Sequence, residues 1–110
     1  MSNPVPEVIS TYLTAAAASD IDTLVTTSAI DGEVLDESRT HSGREAIRAW
    51  RDSVASAYEY TLEVLGAEPQ GEERYLVRTH LEGNFPGGQV DLTYRFTLHD
   101  GLIRALEIAP

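Results

Sequence analysis

The sequence predicts a single α+β domain over residues 1–110, and three observations support that class. A chain of 110 residues suits one domain built around one hydrophobic core. Apolar residues recur at helical spacing through most of the first half and at every second position in the second half. Helices segregated from a run of half-buried strands indicate an antiparallel sheet that curves around a long N-terminal helix and leaves a cone-shaped interior.

Two helices are predicted before the first strand. In the first, Asn3 can cap the helix, and Pro4 and Pro6 fall in the first turn, where a missing N–H costs little. Its buried face follows i, i+3, i+4, i+7 spacing and comprises Val5, Val8, Ile9, Tyr12, Leu13 and Ala16. A short second helix restarts at Ser19 or Asp20, either of which can cap it.

A short strand and a third helix follow. Asp31-Gly32 is a turn signal, and residues 33–37 then form the strand. Ser42 with Glu45 three residues later matches a capping box, which would satisfy two otherwise unpartnered backbone amides at the helix start. The inner stripe of this helix comprises Ala46, Ile47, Trp50, Val54 and Ala57.

Four strands make up the second half of the chain. The inward residues of the first three are Tyr58, Tyr60, Leu62 and Val64, then Tyr75, Val77, Thr79 and Leu81, then Val90, Leu92, Tyr94, Phe96 and Leu98. Asp100-Gly101 predicts a two-residue hairpin, and "GNFPGGQ" predicts a longer turn. The last strand, "LIRALEI", has apolar residues at both parities, so its inner face is not fixed by alternation.

Charge and composition exclude several classes of function. Eight Lys and Arg against 18 Asp and Glu give a net charge of −10, which argues against nucleic acid and against anionic lipid as partners. The absence of cysteine excludes disulfides, thiolate metal sites and cysteine nucleophiles. The first 20 residues lack a basic region and an unbroken apolar run, so we expect neither a signal peptide nor a membrane span, and a cytoplasmic protein.

No metal or cofactor is expected from the motifs. His80 and His99 fall on outward strand faces and His41 lies in the turn before a helix, so the three histidines do not form a metal cluster. The chain has no Gly-x-Ser-x-Gly elbow, and its "NFPGG" segment does not open a helix as a phosphate-binding loop would.

The whole pattern resembles the nuclear-transport-factor-2-like superfamily, in its SnoaL-like branch, which includes polyketide cyclases and ketosteroid isomerases. Three segments carry the resemblance: the first helix running into "ASDIDTLVTT", the strand–turn–helix "VLDESRTHSGREAIRAW", and the strand pair "VDLTYRFTLHDGLIRALEI". It implies a cystatin-like cone, but this fold hosts enzymes, binding modules and assembly domains alike. The Arg-x-Asp pair of the epoxide-hydrolase members does not occur in the chain.

The resemblance implies three candidate catalytic residues. Tyr12 matches the first-helix tyrosine that donates a hydrogen bond to the substrate oxygen in ketosteroid isomerases, and Asp36 matches their aspartate base at the end of the first strand. The turn after Asp36 is about two residues shorter than in those enzymes. Their second oxygen donor is a protonated aspartate, and this chain departs from the pattern by carrying Tyr94 at the nearest match.

The residues alone leave the role of Asp36 open. Period-two spacing places Asp36 on the same strand face as Val34, and an apolar pocket would raise its pKa toward that of a general base. It could instead be a strand-end aspartate that bonds turn amides or Arg39. Six other inward residues would line the ligand pocket or fill the core: Val34, Trp50, Tyr58, Tyr60, Tyr75 and Phe96.

Two readings of function follow. One is a protein that binds a small apolar or carbonyl-containing ligand, either as a cofactor-independent isomerase or cyclase or without catalysis. The other is a non-catalytic binding or dimerisation module whose interior is filled by its own aromatic residues. An open cavity of a few hundred Å³ reaching Asp36 would favour the first.

A homodimer through the outer sheet face is also expected. Apolar residues occur at outward parity on neighbouring strands, at Leu65, Leu76, Ile103 and Ala105, and together they could form one patch.

Overall fold

The computed structural model describes residues 5–110, which form three helices and six strands. The helices are α1 (Glu7–Ala18), α2 (Ile21–Thr26) and α3 (Gly43–Ala57). The strands are β1 (Ser28–Asp36), β2 (Arg39–Ser42), β3 (Tyr60–Gly71), β4 (Arg74–Gly83), β5 (Gln89–His99) and β6 (Leu102–Ala109). The predicted α+β class is confirmed, with one strand more than the sequence indicated.

The six strands form one curved, open sheet in the order β2-β1-β6-β5-β4-β3. Four of the neighbouring pairs are antiparallel, as predicted, but β1 and β6 are parallel. The core lies between this sheet and the helices, and its fully buried side chains include Ile9, Tyr12, Leu24, Val34, Ile47, Val77, Phe96, Ile103 and Leu106. No helix in the described part of the chain is long and apolar enough to cross a membrane.

The predicted second-helix cap is confirmed at Asp20, whose side chain accepts a hydrogen bond from the backbone N–H of Thr23 at 3.3 Å. Ser19 has a left-handed backbone and closes α1 instead. The predicted cap Asn3, with Pro4, lies outside the described residues, and the structure places Pro6 at the N-cap of α1.

The predicted capping box of α3 is wrong. Ser42 occupies the N-cap, but its side chain makes no capping hydrogen bond. Ser42 is the last residue of β2, and Gly43 follows it with a φ of 85°. The chain therefore enters the helix through a left-handed residue, which only glycine adopts without cost and which a capping box does not contain.

The turn predicted at Asp31-Gly32 is also wrong, because both residues lie inside β1. The pairing of β1 with β6 shifts register between Ser28 and Glu33, which is a bulge. A Cβ on Gly32 would lie 2.9 Å from the carbonyl oxygen of Ile103. Gly32 thus permits the close approach of two backbones rather than a reversal of the chain.

A second bulge places Ile103 inside the protein, which corrects its assignment to the outer face. Thr97 pairs with Ala105 but the next residue, Leu98, pairs with Ile103, so Arg104 is the extra residue. Ile103 is 2% exposed and belongs to the core. The bulge explains why β6 carries apolar residues at both parities. Ala105 remains on the outer side, opposite Thr97.

The outer sheet face carries a histidine held between two acidic side chains. The ring nitrogens of His80 contact the carboxylates of Asp91 on β5 and Glu82 on its own strand. These hydrogen bonds, first that of Asp91 and then that of Glu82, raise the pKa of His80 above its ordinary value. Glu63 of β3 lies opposite His80 in the ladder.

We expect this arrangement to make stability depend on pH. Because the pKa of His80 is raised in the folded state, its stabilising effect is fully present below about pH 6.5 and is lost as the pH rises through the raised value. The difference in unfolding free energy between the wild type and His80→Asn, measured by urea titration across pH, should therefore shrink toward alkaline pH. In an Asp91→Asn background the pKa of His80 should be raised less, so the effect of His80→Asn on the unfolding free energy should disappear over a narrower pH range. An effect of His80→Asn that does not change with pH would contradict the interpretation.

Candidate functional site

A cavity of about 650 Å³ opens where α3 meets the ends of β1 and β6 and the concave face of β4 and β5. Its apolar wall consists of Val54, Leu81, Phe85, Val90, Leu92 and Ile108. Its exposed rim includes Glu37, Ser38, Tyr58 and Pro86. The most buried of its lining residues are Tyr94 and Arg51, which are 3% and 5% exposed and mark its inner end.

Asp36 lies in the wall of this cavity, as the last residue of β1. The chain turns directly after it through Glu37 and Ser38, whose φ angles of 53° and 65° form a tight left-handed turn into β2. The carboxylate is half-buried, and its Oδ2 accepts a hydrogen bond from the Trp50 indole N–H at 3.3 Å. The described hydrogen bond of this carboxylate is therefore made with α3 rather than with Arg39.

The pKa of Asp36 is raised above its ordinary value. Partial burial is the largest cause, and the neighbouring Glu37 carboxylate raises the pKa further. The Trp50 hydrogen bond and the charges of His41 and Arg51 lower it by less. Asp36 thus combines access to an apolar cavity with a pKa shifted toward the range in which a carboxylate accepts protons efficiently.

Trp50 connects the polar groups of the site. Its indole donates to Asp36, one ring face stacks on the His41 imidazole with 5.3 Å between centroids, and the Arg51 guanidinium carbon lies 5.1 Å from the ring centroid. These contacts hold the indole from several directions, and the cation over the ring is a stabilising geometry.

Arg51 is the residue that the sequence analysis missed. It lies on α3 four residues after the fully buried Ile47, so helical spacing placed it on the inner stripe despite its charge. Its Nη2 donates to the carbonyl oxygen of Ala16 at 3.2 Å and to the hydroxyl oxygen of Tyr60 at 2.9 Å. Tyr60 in turn donates to the same carbonyl at 3.3 Å, which ties α1, α3 and β3 together.

The two tyrosines predicted as hydrogen-bond donors lie in different places, one in the cavity wall and one in the core. Tyr94 lines the cavity, and burial raises its pKa, so its hydroxyl stays protonated. Tyr12 does not line the cavity. It is 1% exposed, packs edge-on against Phe96 with 5.7 Å between centroids, and its hydroxyl has no hydrogen-bond partner. Burial raises the pKa of Tyr12 as well. The charge of Arg51 lowers this pKa by less, and the charges of Tyr60 and Asp36 raise it.

Of the six residues predicted to line the ligand pocket or fill the core, three line the cavity and three belong to the core or pack against it. Trp50, Tyr58 and Tyr60 line the cavity. Val34 and Phe96, each 1% exposed, are core residues instead, and Tyr75 packs against the core. The inner face of a curved sheet carries both kinds of residue, and alternation alone does not distinguish wall from core. No group of three or more His, Asp or Glu side chains suited to a metal ion occurs within residues 5–110.

The unpartnered hydroxyl of Tyr12 gives a stability prediction. A buried polar group without a partner costs about 1–3 kcal/mol, so Tyr12→Phe should raise the free energy of unfolding by about 1 kcal/mol. Chemical denaturation measures the change, and Tyr58→Phe serves as a control because Tyr58 is 38% exposed and should show little effect. A loss of stability in Tyr12→Phe would mean that the hydroxyl has a partner in solution.

An open, curved sheet packed against three helices, with a cavity at their junction, is the architecture of the cystatin-like fold. The chain is 39% identical to a protein from Sinorhizobium meliloti provisionally named a polyketide cyclase, over 96% of this chain and 95% of that one, with a TM-score of 0.90. The chain belongs to the nuclear-transport-factor-2-like superfamily, in its SnoaL-like branch, which confirms the resemblance seen in the sequence.

More distant structures share the fold. A Catenulispora acidiphila protein with a ketosteroid isomerase-like fold, solved in complex with trimethylamine, has a TM-score of 0.87 at 17% identity over 99% of this chain and 87% of that one. SalBIII, an epoxide hydrolase/cyclase-like enzyme of pyran ring formation in salinomycin, has a TM-score of 0.81 at 21% identity over 93% and 86%. No family model matches the chain, and no curated protein matches its sequence.

Proposed function

We propose that this protein binds a small carbonyl-containing molecule in the cavity and moves a proton on the carbon next to the carbonyl, as an isomerase or cyclase does. The observation that carries the proposal is Asp36, a half-buried carboxylate with a raised pKa in the wall of a cavity of about 650 Å³. The likeness to a provisionally named polyketide cyclase supports the same class of chemistry.

The residues have distinct roles in this proposal. Asp36 accepts the proton, and the Trp50 N–H keeps its carboxylate in place. Tyr94, which stays protonated at the inner end of the cavity, donates a hydrogen bond to the enolate oxygen as charge develops on it. Tyr12, the donor that the resemblance implies, is buried and does not line the cavity, so the proposal assigns the donor to Tyr94. Proton transfer leaves oxidation states unchanged, so the reaction needs no redox cofactor.

An assay with a model ketone tests the proposed proton transfer without knowledge of the natural substrate. The protein is incubated with 2-tetralone in D₂O, and loss of the proton signal next to the carbonyl is followed by NMR. Exchange faster than in buffer alone, rising with pH as Asp36 loses its proton, is expected. If 2-tetralone quenches the fluorescence of Trp50 but exchange is not accelerated, the protein is a binding module rather than a proton-transfer enzyme.

The dimer expected from the sequence remains a proposal, now with Leu65, Leu76 and Ala105 as its apolar residues. Leu65 is 54% exposed, and Leu76 faces outward beside the Glu68–Arg78 ion pair. Light scattering should give a mass of twice 12.0 kDa, and Leu76→Arg should reduce it toward the monomer. A wild-type mass of 12.0 kDa at micromolar concentration would rule the dimer out. The cytoplasmic location also stays a prediction.

A further inference from the structure

Arg51 is a buried cation without a carboxylate partner. Its side chain is 5% exposed, and both of its hydrogen-bond acceptors, the Ala16 carbonyl and the Tyr60 hydroxyl, are uncharged. Among residues 5–110, no Asp or Glu oxygen lies within 4.0 Å of its guanidinium. Removing a charge from water without pairing it is costly, and a buried arginine is ordinarily compensated by an anion.

The guanidinium keeps donors free at the inner end of the cavity. Its described hydrogen bonds use Nη2 alone. Nε is fully buried without a partner, and Nη1, which makes no described hydrogen bond, is the nitrogen that a ligand in the cavity can reach. A guanidinium N–H donates a charge-assisted hydrogen bond to a carboxylate, which is stronger than a bond between neutral groups. Arg51 therefore has both the charge and the vacant donors that an anionic group would require.

Asp36 does not neutralise Arg51, although both contact Trp50. Asp36 accepts the indole N–H at 3.3 Å, while the guanidinium carbon lies over the ring at 5.1 Å from its centroid. The indole thus contacts both a carboxylate and a cation, and these two groups form no ion pair within 4.0 Å. The cavity presents two separate polar sites, one that can accept a proton and one that can hold negative charge.

We propose that the ligand of this cavity is an apolar organic acid, whose carboxylate binds Arg51 and whose body packs against the apolar wall. The proposal rests on the proposed function and specifies the class of its ligand. The protein as a whole carries a net charge of −10, so it repels anions at long range, and a specific local cation is needed to retain one. Val54, Phe85, Val90 and Leu92 supply the apolar surface beside it.

A pair of probes that differ only in charge tests this inference. The probes are 4-phenylbutyrate and its neutral isostere 4-phenylbutanamide, and binding is followed by the fluorescence of Trp50, the only tryptophan in the chain and part of the cavity wall. We expect the carboxylate to bind on the order of tenfold more tightly than the amide, because a hydrogen bond to a charged group is stronger than one between neutral groups.

Variants of Arg51 assign the preference to that residue. Arg51→Met should bind both probes equally, whereas Arg51→Lys, which keeps the charge, should retain part of the preference for the carboxylate. The wild-type comparison stands even if Arg51→Met fails to fold. Equal binding of the two probes by the wild type would overturn the inference and leave the proposed function standing. If neither probe quenches Trp50 at millimolar concentration, the inference fails, and 2-tetralone exchange then decides the proposed function separately.

Discussion

Replacing Asp36 with asparagine should lower the rate of proton exchange from 2-tetralone by about 100-fold or more, the usual scale of a lost general base. Asparagine has the same shape and still offers an oxygen to the Trp50 N–H, but it cannot accept a proton at neutral pH. The measurement is the exchange rate in D₂O for the purified variant beside the wild type.

The loss should not come from unfolding. The pKa of Asp36 is raised in the folded state, so its favourable contribution to stability is present below its unfolded value of 3.8 and is lost as the pH rises through the folded value. Ionised Asp36 therefore disfavours the folded state at neutral pH, and Asp36→Asn should melt at the same temperature as the wild type or higher. Full exchange activity in a folded Asp36→Asn variant would exclude Asp36 as the base.

Glu37 offers a matched control for the charge at this position. It is the adjacent residue, it also borders the cavity, and it is exposed. Glu37→Gln should keep the exchange rate within a few-fold of wild type. Because the Glu37 carboxylate raises the pKa of Asp36, its removal should also move the pH profile of exchange toward lower pH.

Gly83→Ala should destabilise the fold by about 1–3 kcal/mol, the usual cost of forcing an extra carbon into a packed site. A Cβ at Gly83 would clash with the carbonyl oxygen of Glu59 and lie 2.7 Å from the Cβ of Tyr60. Tyr60 is the ladder partner of Gly83, so relief of the clash must move the start of β3 and with it a residue of the cavity wall. Urea denaturation measures the cost.

Gly66→Ala is the control for a methyl group added to a strand glycine. A Cβ there would meet only the Arg78 side chain at 3.5 Å, which is ordinary contact. Gly66→Ala should change the unfolding free energy by less than about 1 kcal/mol, the scale of glycine's conformational effect. Equal costs at Gly83 and Gly66 would show that backbone flexibility, rather than the clash, determines the result.

The elements that the sequence predicts well are those in which local chemistry and packing agree. Helical spacing placed α1 and α3, the side chain of Asp20 identified the start of α2, and alternation identified β3, β4 and β5. Asp100-Gly101 forms the predicted tight turn, and both residues adopt positive φ. In each case, the residues nearest in sequence carry the information.

The features that the sequence analysis missed depend on distant partners or on unusual turn residues. Glu37 and Ser38 both have positive φ in the β1–β2 turn. Neither is a glycine or an asparagine, the residues that usually mark such a turn in a sequence. The function of Gly32 depends on the backbone of β6, more than 70 positions away. A bulge at Arg104 reverses the faces of β6, and no local pattern encodes it.

The candidate site was predicted less completely than the fold. Asp36, Tyr94, Trp50, Tyr58 and Tyr60 do meet in one cavity. Arg51 was passed over because charge usually indicates an exposed position, although its spacing from Ile47 indicated the opposite. Tyr12 and Phe96 were placed correctly inside the protein, but distinguishing core from cavity requires the curvature of the sheet, which arises from the packing of all six strands.

The parallel pairing of β1 with β6 also constrains how the protein folds during synthesis. β6 lies between β1 and β5, so the last of the six strands to be synthesised occupies the middle of the sheet. Without β6, the remaining pairings are those of the β1–β2 hairpin, which has one open edge, and of a separate β3–β4–β5 meander. Contacts so distant in sequence close slowly. We therefore expect the cooperative folding step to wait for the synthesis of β6, with the unpaired edge of β1 as the segment that needs protection from aggregation.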